Sequence, residues 1–97
     1  MVEVLKSATF DVWLSGLRDR QAGARIKARI TRLSLGNPGD VKSVARGISE
    51  MRIDYGPGYR VYFMQQQRFI IVLLCGGDKR TQDADIKRAI KIAKDWK

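Results

Sequence analysis

The sequence contains no histidine and a single cysteine, Cys75. Without a second cysteine the chain cannot form an internal disulfide, and without histidine or a cysteine cluster a zinc site is not expected. No stretch approaches the roughly 18 consecutive apolar residues that a membrane-spanning helix needs, and the first ten residues lack a secretory pattern. These absences predict a cytoplasmic protein that does not span a membrane and has no metal site. We also expect no small-molecule cofactor and no membrane partner.

Acidic residues are few relative to basic ones. Nineteen lysines and arginines stand against ten aspartates and glutamates, which gives a formal net charge of +9. Such an excess favours contact with nucleic acid, an anionic membrane surface or an acidic partner protein. The hydrophobic fraction of 44% over 97 residues is typical of a globular chain. We therefore expect one basic domain over residues 1–97.

The spacing of apolar residues divides the chain into short elements. Residues 2–6 alternate in the manner of a strand, and residues 10–17 and 22–33 carry apolar side chains at helical spacing. Between residues 41 and 75 the period changes to two, which predicts about four strands, and a last helix follows Thr81. This order predicts an α+β fold, β-α-α-β-β-β-(β)-α, with a mostly antiparallel sheet and helices packed on one of its faces.

The hairpin SEMRIDYGPGYRVYF places charged residues beside its apolar ones. Alternation puts Glu50, Arg52 and Asp54 on the face away from the helices, and Arg60 and Tyr62 on the same face of the next strand. Two neighbouring guanidiniums repel each other unless something negative lies between them. They can belong to a solvated ladder with the two acids, or they can clamp a phosphate, and the residues alone favour neither interpretation.

The segments that follow the hairpin predict a turn, a buried strand and a loop. QQQ at 65–67 indicates the turn, and FIIVLLC at 69–75 is apolar throughout, as in a strand covered on both faces. In GGDKR, the glycine pair is expected to turn the backbone sharply and deliver Lys79 and Arg80 to the sheet edge. The predicted groove then contains four cations: Arg52, Arg60, Lys79 and Arg80.

Four segments resemble bacterial toxins of toxin–antitoxin modules: WLSGLRD, RITRLSLGNPGDVK, GISEMRIDYGPGYRVYF and LLCGGDKRTQDADIKRAIKIA. They are most similar to the phage Gp49-like, HigB-type branch of the RelE/ParE superfamily, from about Thr9 to Trp96. The resemblance implies a RelE-like fold, cleavage of mRNA on the ribosome, and neutralisation by a cognate antitoxin with a helix-turn-helix domain. It also implies catalytic roles for Arg52, Arg60, and Lys79 or Arg80.

Other residues are candidates for RNA contact or proton transfer. No tyrosine follows Tyr62 in the segment where the family carries a catalytic tyrosine or acidic group. Lys79, Asp54 and Asp85 are the candidate acids and bases for attack by a ribose 2′-hydroxyl. The second helix offers a further basic surface, which can equally be a solvated exterior. The RNA-binding candidates are Tyr62, Asp54, Gln82, Asp85, Arg25 and Arg29.

The leading hypothesis is therefore a metal-independent endoribonuclease. Two alternatives remain open at this stage. ParE-type relatives share the architecture but inhibit DNA gyrase without cutting RNA, and a basic module can bind RNA or an acidic protein without any chemistry. The clustered cations favour RNA cleavage over both.

Overall fold

A computed structural model describes residues 2–96. Within them the chain forms five strands and three α-helices in a mixed order, so the predicted α+β class is confirmed. No helix among these residues is both long and apolar enough to cross a membrane. The elements are β1 (Glu3–Lys6), α1 (Ala8–Ser15), α2 (Arg20–Ser34), β2 (Val41–Ala45), β3 (Ile48–Ile53), β4 (Tyr59–Gln67), β5 (Ile70–Asp78), a 3-10 turn (Lys79–Thr81) and α3 (Gln82–Asp95).

The five strands form one sheet in the order β1-β5-β4-β3-β2. Strand β1 is parallel to β5, and the other neighbouring pairs are antiparallel, as predicted. The turn expected at 65–67 was wrong, because Gln65 and Gln67 still pair with β5 and the chain reverses at Arg68 and Phe69. The sheet therefore contains two long central strands, β4 and β5, of nine residues each.

Helices α1 and α2 pack against one face of the sheet. Ser7 is the N-cap of α1, because its hydroxyl oxygen accepts a hydrogen bond from the Phe10 amide. The same hydroxyl donates to the Leu74 carbonyl of β5. Asp19 is the N-cap of α2, and its side chain accepts hydrogen bonds from the backbone amides of Gln21 and Ala22. Beneath the two helices lies a core formed by alternate residues of three strands: Met51, Ile53, Val61, Phe63, Ile71 and Leu73.

Helix α3 packs on the opposite face, so the expectation that the helices share one face was wrong. The reason lies in β5, whose side chains are apolar on both sides. Ile71 and Leu73 belong to the core under α1 and α2, whereas Val72 and Leu74 belong to a second core that includes Ala89 of α3. A strand that is apolar on both faces needs cover on both. The face that the sequence predicted to be open is therefore partly buried.

The glycine pair after the apolar strand also has another role than the one predicted. Gly76 and Gly77 belong to β5 and form no loop. A Cβ atom on Gly76 would lie 2.3 Å from the Trp13 ring of α1, and one on Gly77 would lie 1.8 Å from the Asp85 carboxylate of α3. The two glycines thus let helices on opposite faces of the sheet approach the same strand.

Candidate functional site

Arg52 and Arg60 lie directly opposite each other on β3 and β4. The turn that joins these strands needs glycine, because Gly56 and Gly58 have φ angles of 57° and 81°. A Cβ atom on Gly58 would lie 3.6 Å from a terminal guanidinium nitrogen of Arg60. The hairpin therefore brings two guanidiniums together beside a turn whose positive φ angles require glycine.

A buried carboxylate, that of Glu50, lies between the two arginines. Its Oε1 atom is 3.7 Å from the Nε atoms of both Arg52 and Arg60. Its Oε2 atom accepts hydrogen bonds from the Tyr62 hydroxyl at 2.9 Å and the Gln82 amide at 2.7 Å. Glu50 is only 1% exposed. One oxygen is thus fixed by uncharged donors, while the other faces two positive charges.

Neither arginine completes a hydrogen bond through its Nε atom. At 3.7 Å the separation from Glu50 is too long for one, and both Nε atoms are buried without another partner. Arg52 also lies 3.8 Å from the Asp40 carboxylate. Buried donors normally have partners, and exceptions are often found at functional sites. The Nε atoms are therefore held by charge, while the Arg60 Nη1 atom makes one long hydrogen bond of 3.5 Å to the Tyr59 carbonyl.

Both arginines line an open cleft of about 380 Å³ beside the hairpin turn. Lys79, the first residue of the 3-10 turn, lines it too. Two carboxylates, those of Asp40 and Asp54, complete the polar lining. Three cations and two acids line the cleft, and the buried Glu50 beneath them balances the formal charge. The guanidinium groups, whose geometry suits phosphate, therefore make the cleft able to hold a phosphate group, rather than an excess of positive charge.

Arg80 does not reach the cleft, unlike the other three cations predicted to share it. Its side chain is 81% exposed and forms an ion pair of 3.2 Å with Asp78. The hydrogen bond from Arg80 lowers the pKa of the Asp78 carboxyl and raises that of the guanidinium. Asp78 also accepts from the Arg80 amide and begins the 3-10 turn. The prediction that Arg80 lines the groove depended on a loop at the glycine pair, and those residues instead continue β5.

Three other predicted site residues lie beneath or beside the cleft. Tyr62 is fully buried, so the prediction that it contacts RNA is contradicted. Burial, together with the hydrogen bond to Glu50, raises the pKa of its hydroxyl. Asp85 is 5% exposed, accepts from the Thr81 hydroxyl and is not among the residues that line the cleft. Gln82 is half-buried and connects α3 to Glu50.

The arginines of α2 have different surroundings. Arg29 donates to the backbone carbonyls of Arg52 at 2.6 Å and Pro38 at 3.1 Å, so it connects α2 to β3 and to the loop before β2. Arg25 lies over the Tyr55 ring, 4.7 Å from its centroid. The Tyr55 hydroxyl in turn donates to Asp19, which lowers the pKa of that carboxyl.

Sequence reasoning missed the central position of Glu50. The signal was present, because strict alternation places Glu50 opposite Tyr62 and next to Arg52 on the same face. What could not be seen was α3, whose Gln82 closes the carboxylate off from solvent. Among residues 2–96 no three cysteine, aspartate or glutamate side chains are grouped so that they could hold a metal ion. That the reaction needs no metal stays a prediction.

Comparison with known proteins assigns the chain to a family. The model of the family described as phage derived protein Gp49-like (DUF891) matches residues 13–97, which is most of the chain. This protein belongs to the Gp49-like family. An uncharacterized protein of Haemophilus influenzae is 53% identical over 94 residues, covering 97% of this chain and 95% of the relative. No solved structure matches the chain. Membership of this addiction-module-like family suggests that the Gp49-like protein acts as a toxin with an antitoxin partner.

Proposed function

We propose that the Gp49-like protein is the toxin of a type II toxin–antitoxin module and cleaves mRNA on the ribosome in the manner of RelE and HigB. The observation that carries the proposal is the paired guanidiniums of Arg52 and Arg60 in one cleft with Lys79. Cleavage by a ribose 2′-hydroxyl builds negative charge on the phosphoryl oxygens. Preorganised cations at that position are usually the largest catalytic contribution.

Arg60 is the residue that best fits charge stabilisation. Its side chain is 13% exposed, against 37% for Arg52, so its charge acts where little water screens it. Glu50 fixes the guanidinium without occupying it in a hydrogen bond. A phosphate that enters the cleft then meets a cation already in position, which lowers the cost of reorganisation during the reaction.

Proton transfer falls to the residues at the cleft surface. Asp54 and Lys79 are both exposed and both line the cleft, so each can reach a bound nucleotide. Asp54 serves as the base for the 2′-hydroxyl, and Lys79 supplies charge or a proton at the leaving 5′-oxygen. Asp85, the third candidate from the sequence, is buried against Gly77 and Thr81 and has no role in this scheme.

The expected partners follow from the same cleft. A cytoplasmic toxin of this kind has a cognate helix-turn-helix antitoxin, and an acidic antitoxin segment complements a cleft lined by three cations. The ribosome and mRNA are the proposed targets. No cofactor takes part in the proposed reaction.

Brief expression in bacteria, followed by mapping of RNA 5′ ends, tests the proposal. We expect new ends inside translated codons with the natural sequence and none with Arg60→Ala. Arg68→Ala is the matched control, because Arg68 lies at the exposed turn between β4 and β5 and does not line the cleft. Cuts that persist with a normally abundant Arg60→Ala variant contradict the catalytic assignment. A DNA-damage response without new mRNA ends indicates gyrase inhibition, and binding to RNA without cuts indicates a non-enzymatic module.

A further inference from the structure

A second basic groove continues from the cleft along α2. It has a volume of about 260 Å³, and its lining includes Ile53 and Asp54, which also line the cleft. The two depressions therefore meet at the end of β3. The remaining lining residues come from one face of α2: Arg25, Ala28, Arg29 and Arg32.

The arginines of this face form a stripe along the helix. Arg25, Arg29 and Arg32 stand at i, i+4 and i+7, which is one side of an α-helix. Seven residues at the helical rise extend about 10 Å. The stripe is therefore long enough to follow an extended chain that leaves the cleft, rather than to bind one isolated ion.

Two of these three arginines have guanidinium N–H donors free for a ligand. Arg29 is committed to backbone carbonyls of Arg52 and Pro38. Arg25 and Arg32 are exposed, and within residues 2–96 the ion pairs with separations up to 4.0 Å involve other arginines. Arg29 thus shapes the groove, whereas Arg25 and Arg32 can bind what enters it.

Arg25 also stacks on an aromatic ring, that of Tyr55. Its guanidinium lies 4.7 Å from the centroid of the Tyr55 ring, and the Tyr55 hydroxyl is fixed by Asp19. Stacking of this kind orders a guanidinium while its N–H groups remain available for a phosphate. Arginines beside aromatic and apolar surface are typical of single-stranded nucleic-acid sites.

We propose that this α2 groove holds the part of a single RNA strand that flanks the phosphate bound in the cleft. The proposal rests on the proposed function for the phosphate in the cleft, and it adds a binding subsite made by Arg25 and Arg32. RNA fits better than an acidic peptide because the groove with the arginine stripe shares Ile53 and Asp54 with the cleft, so successive phosphates of one chain can occupy both depressions. Such a strand passes Asp54 at the junction of the two depressions.

Binding of an uncleavable strand tests the subsite separately from cleavage. The probe is a fluorescent oligonucleotide of roughly eight residues, with every 2′-hydroxyl methylated, followed by anisotropy between about 50 and 200 mM salt. A dinucleotide of the same chemistry is the short probe, since it can fill the cleft but not both depressions. The variants are Arg25→Ala and Arg32→Ala. The matched control is Lys27→Ala, an exposed cation of the same helix that lines neither depression.

We expect Arg32→Ala and Arg25→Ala each to weaken binding of the longer strand several-fold and to leave the dinucleotide unaffected. Each loss of a phosphate contact should reduce the slope of log K against log salt by about 0.7. Lys27→Ala should change neither quantity by a comparable amount. Thermal unfolding of each variant verifies that Arg25→Ala, which also removes the contact with Tyr55, remains folded.

Three results overturn the subsite. The first is equal weakening by Lys27→Ala, which indicates general attraction to a basic surface. The second is an unchanged salt slope in folded Arg25→Ala and Arg32→Ala. The third is binding of an octaglutamate peptide that depends on these two arginines while strand binding does not, which assigns the groove to an acidic protein. Because the probe cannot be cut, these outcomes are independent of whether the protein cleaves RNA.

Discussion

Glu50 and Arg60 are diagonal neighbours on β3 and β4, with the Glu50 Oε1 atom 3.7 Å from the Arg60 Nε atom. The carboxylate is 1% exposed and the arginine side chain 13% exposed. A charge so far removed from water is stable only when it is paired. Arg52 completes the group at the same distance from Glu50. The buried acid therefore keeps two like charges side by side at the bottom of a cleft proposed to bind phosphate.

Replacement of Glu50 by glutamine tests this arrangement. The amide cannot neutralise two guanidiniums, so their repulsion in a partly buried place is offset only by the exposed Asp40 carboxylate, 3.8 Å from Arg52. We expect the free energy of unfolding to fall by about 3 kcal/mol, the lower end for breaking a buried pair, because Arg52 is 37% exposed. Urea denaturation measures the change. Glu3→Gln, which removes the same charge from an exposed position on β1, should cost far less, and equal costs would contradict the role of Glu50.

Two glycine-to-alanine changes should have opposite effects on stability. A Cβ atom on Gly77 would lie 1.8 Å from the Asp85 carboxylate, so Gly77→Ala must displace this buried side chain from its hydrogen bond with Thr81 and should cost about 1–3 kcal/mol. Gly23 lies inside α2 with no atom within 4 Å of its would-be Cβ, so Gly23→Ala should add about 0.5–1 kcal/mol. Thermal and urea unfolding measure both changes.

The Gly77 prediction has an internal control. Asp85→Ala removes the carboxylate that blocks the new Cβ atom. In the Gly77→Ala/Asp85→Ala double variant the loss should therefore be smaller than the sum of the two single losses. Additive losses would show that Gly77 is needed for a reason other than contact with Asp85.

Stability should decline in alkali because of the buried thiol. Cys75 is fully buried, and burial raises the pKa of its thiol from 9.0 to about 12. The folded protein therefore keeps a proton that the unfolded chain releases above pH 9, so stability is complete below that pH and falls as the pH rises toward 12. The maximal slope for one such proton is about 1.4 kcal/mol per pH unit.

Urea denaturation at pH 8 and pH 10 measures this loss. In Cys75→Ala the fall between the two pH values should be smaller than in the natural sequence. Part of the fall remains, because burial also raises the pKa of the Tyr62 hydroxyl. The difference between pH 7 and pH 8 should be the same in both proteins. An equal alkaline fall with and without the thiol would remove Cys75 as its source.

The sequence predicted the elements better than their arrangement in space. Period-two alternation located Arg52 and Arg60 on one face of the hairpin, because alternation depends only on the local chain. Whether that face is open depends on where α3 packs, which is a tertiary contact. For this reason Tyr62 was expected at the surface and is buried, while Glu50 was expected in solvent and is enclosed.

The segment GGDKR, residues 76–80, shows a second limit of prediction from sequence. A glycine pair followed by charged residues is typical of a turn, yet Gly76 and Gly77 continue the strand. They are glycines because Trp13 and Asp85 lie against them from opposite sides. Nothing local distinguishes a glycine needed for chain reversal from one needed for close packing. The misplaced loop also explains why Arg80 was expected in the groove.

The last prediction separates the two candidates for proton transfer. Asp54 is exposed in the cleft, and among residues 2–96 it forms no ion pair, whereas Asp40 lies 3.8 Å from Arg52. Asp54 is thus the carboxylate of the cleft that is free to accept a proton. Asp54→Asn should slow RNA cleavage about 100-fold, the lower range for loss of a general base. It should leave binding of the methylated strand unchanged or tighter, because it removes a negative charge from the path of the RNA.

Single-turnover cleavage by the protein bound to programmed ribosomes measures the rate, and anisotropy measures binding. Asp83→Asn is the matched control, since Asp83 is exposed in the first turn of α3 and does not line the cleft. Lys79→Ala, in contrast to Asp54→Asn, should both slow cleavage and weaken binding, because it removes a cation that lines the cleft. A fast Asp54→Asn variant together with a slow Lys79→Ala variant that still binds the strand would transfer the role of base to Lys79. A split between rate and binding at Asp54 assigns proton removal to the carboxylate beside the paired arginines.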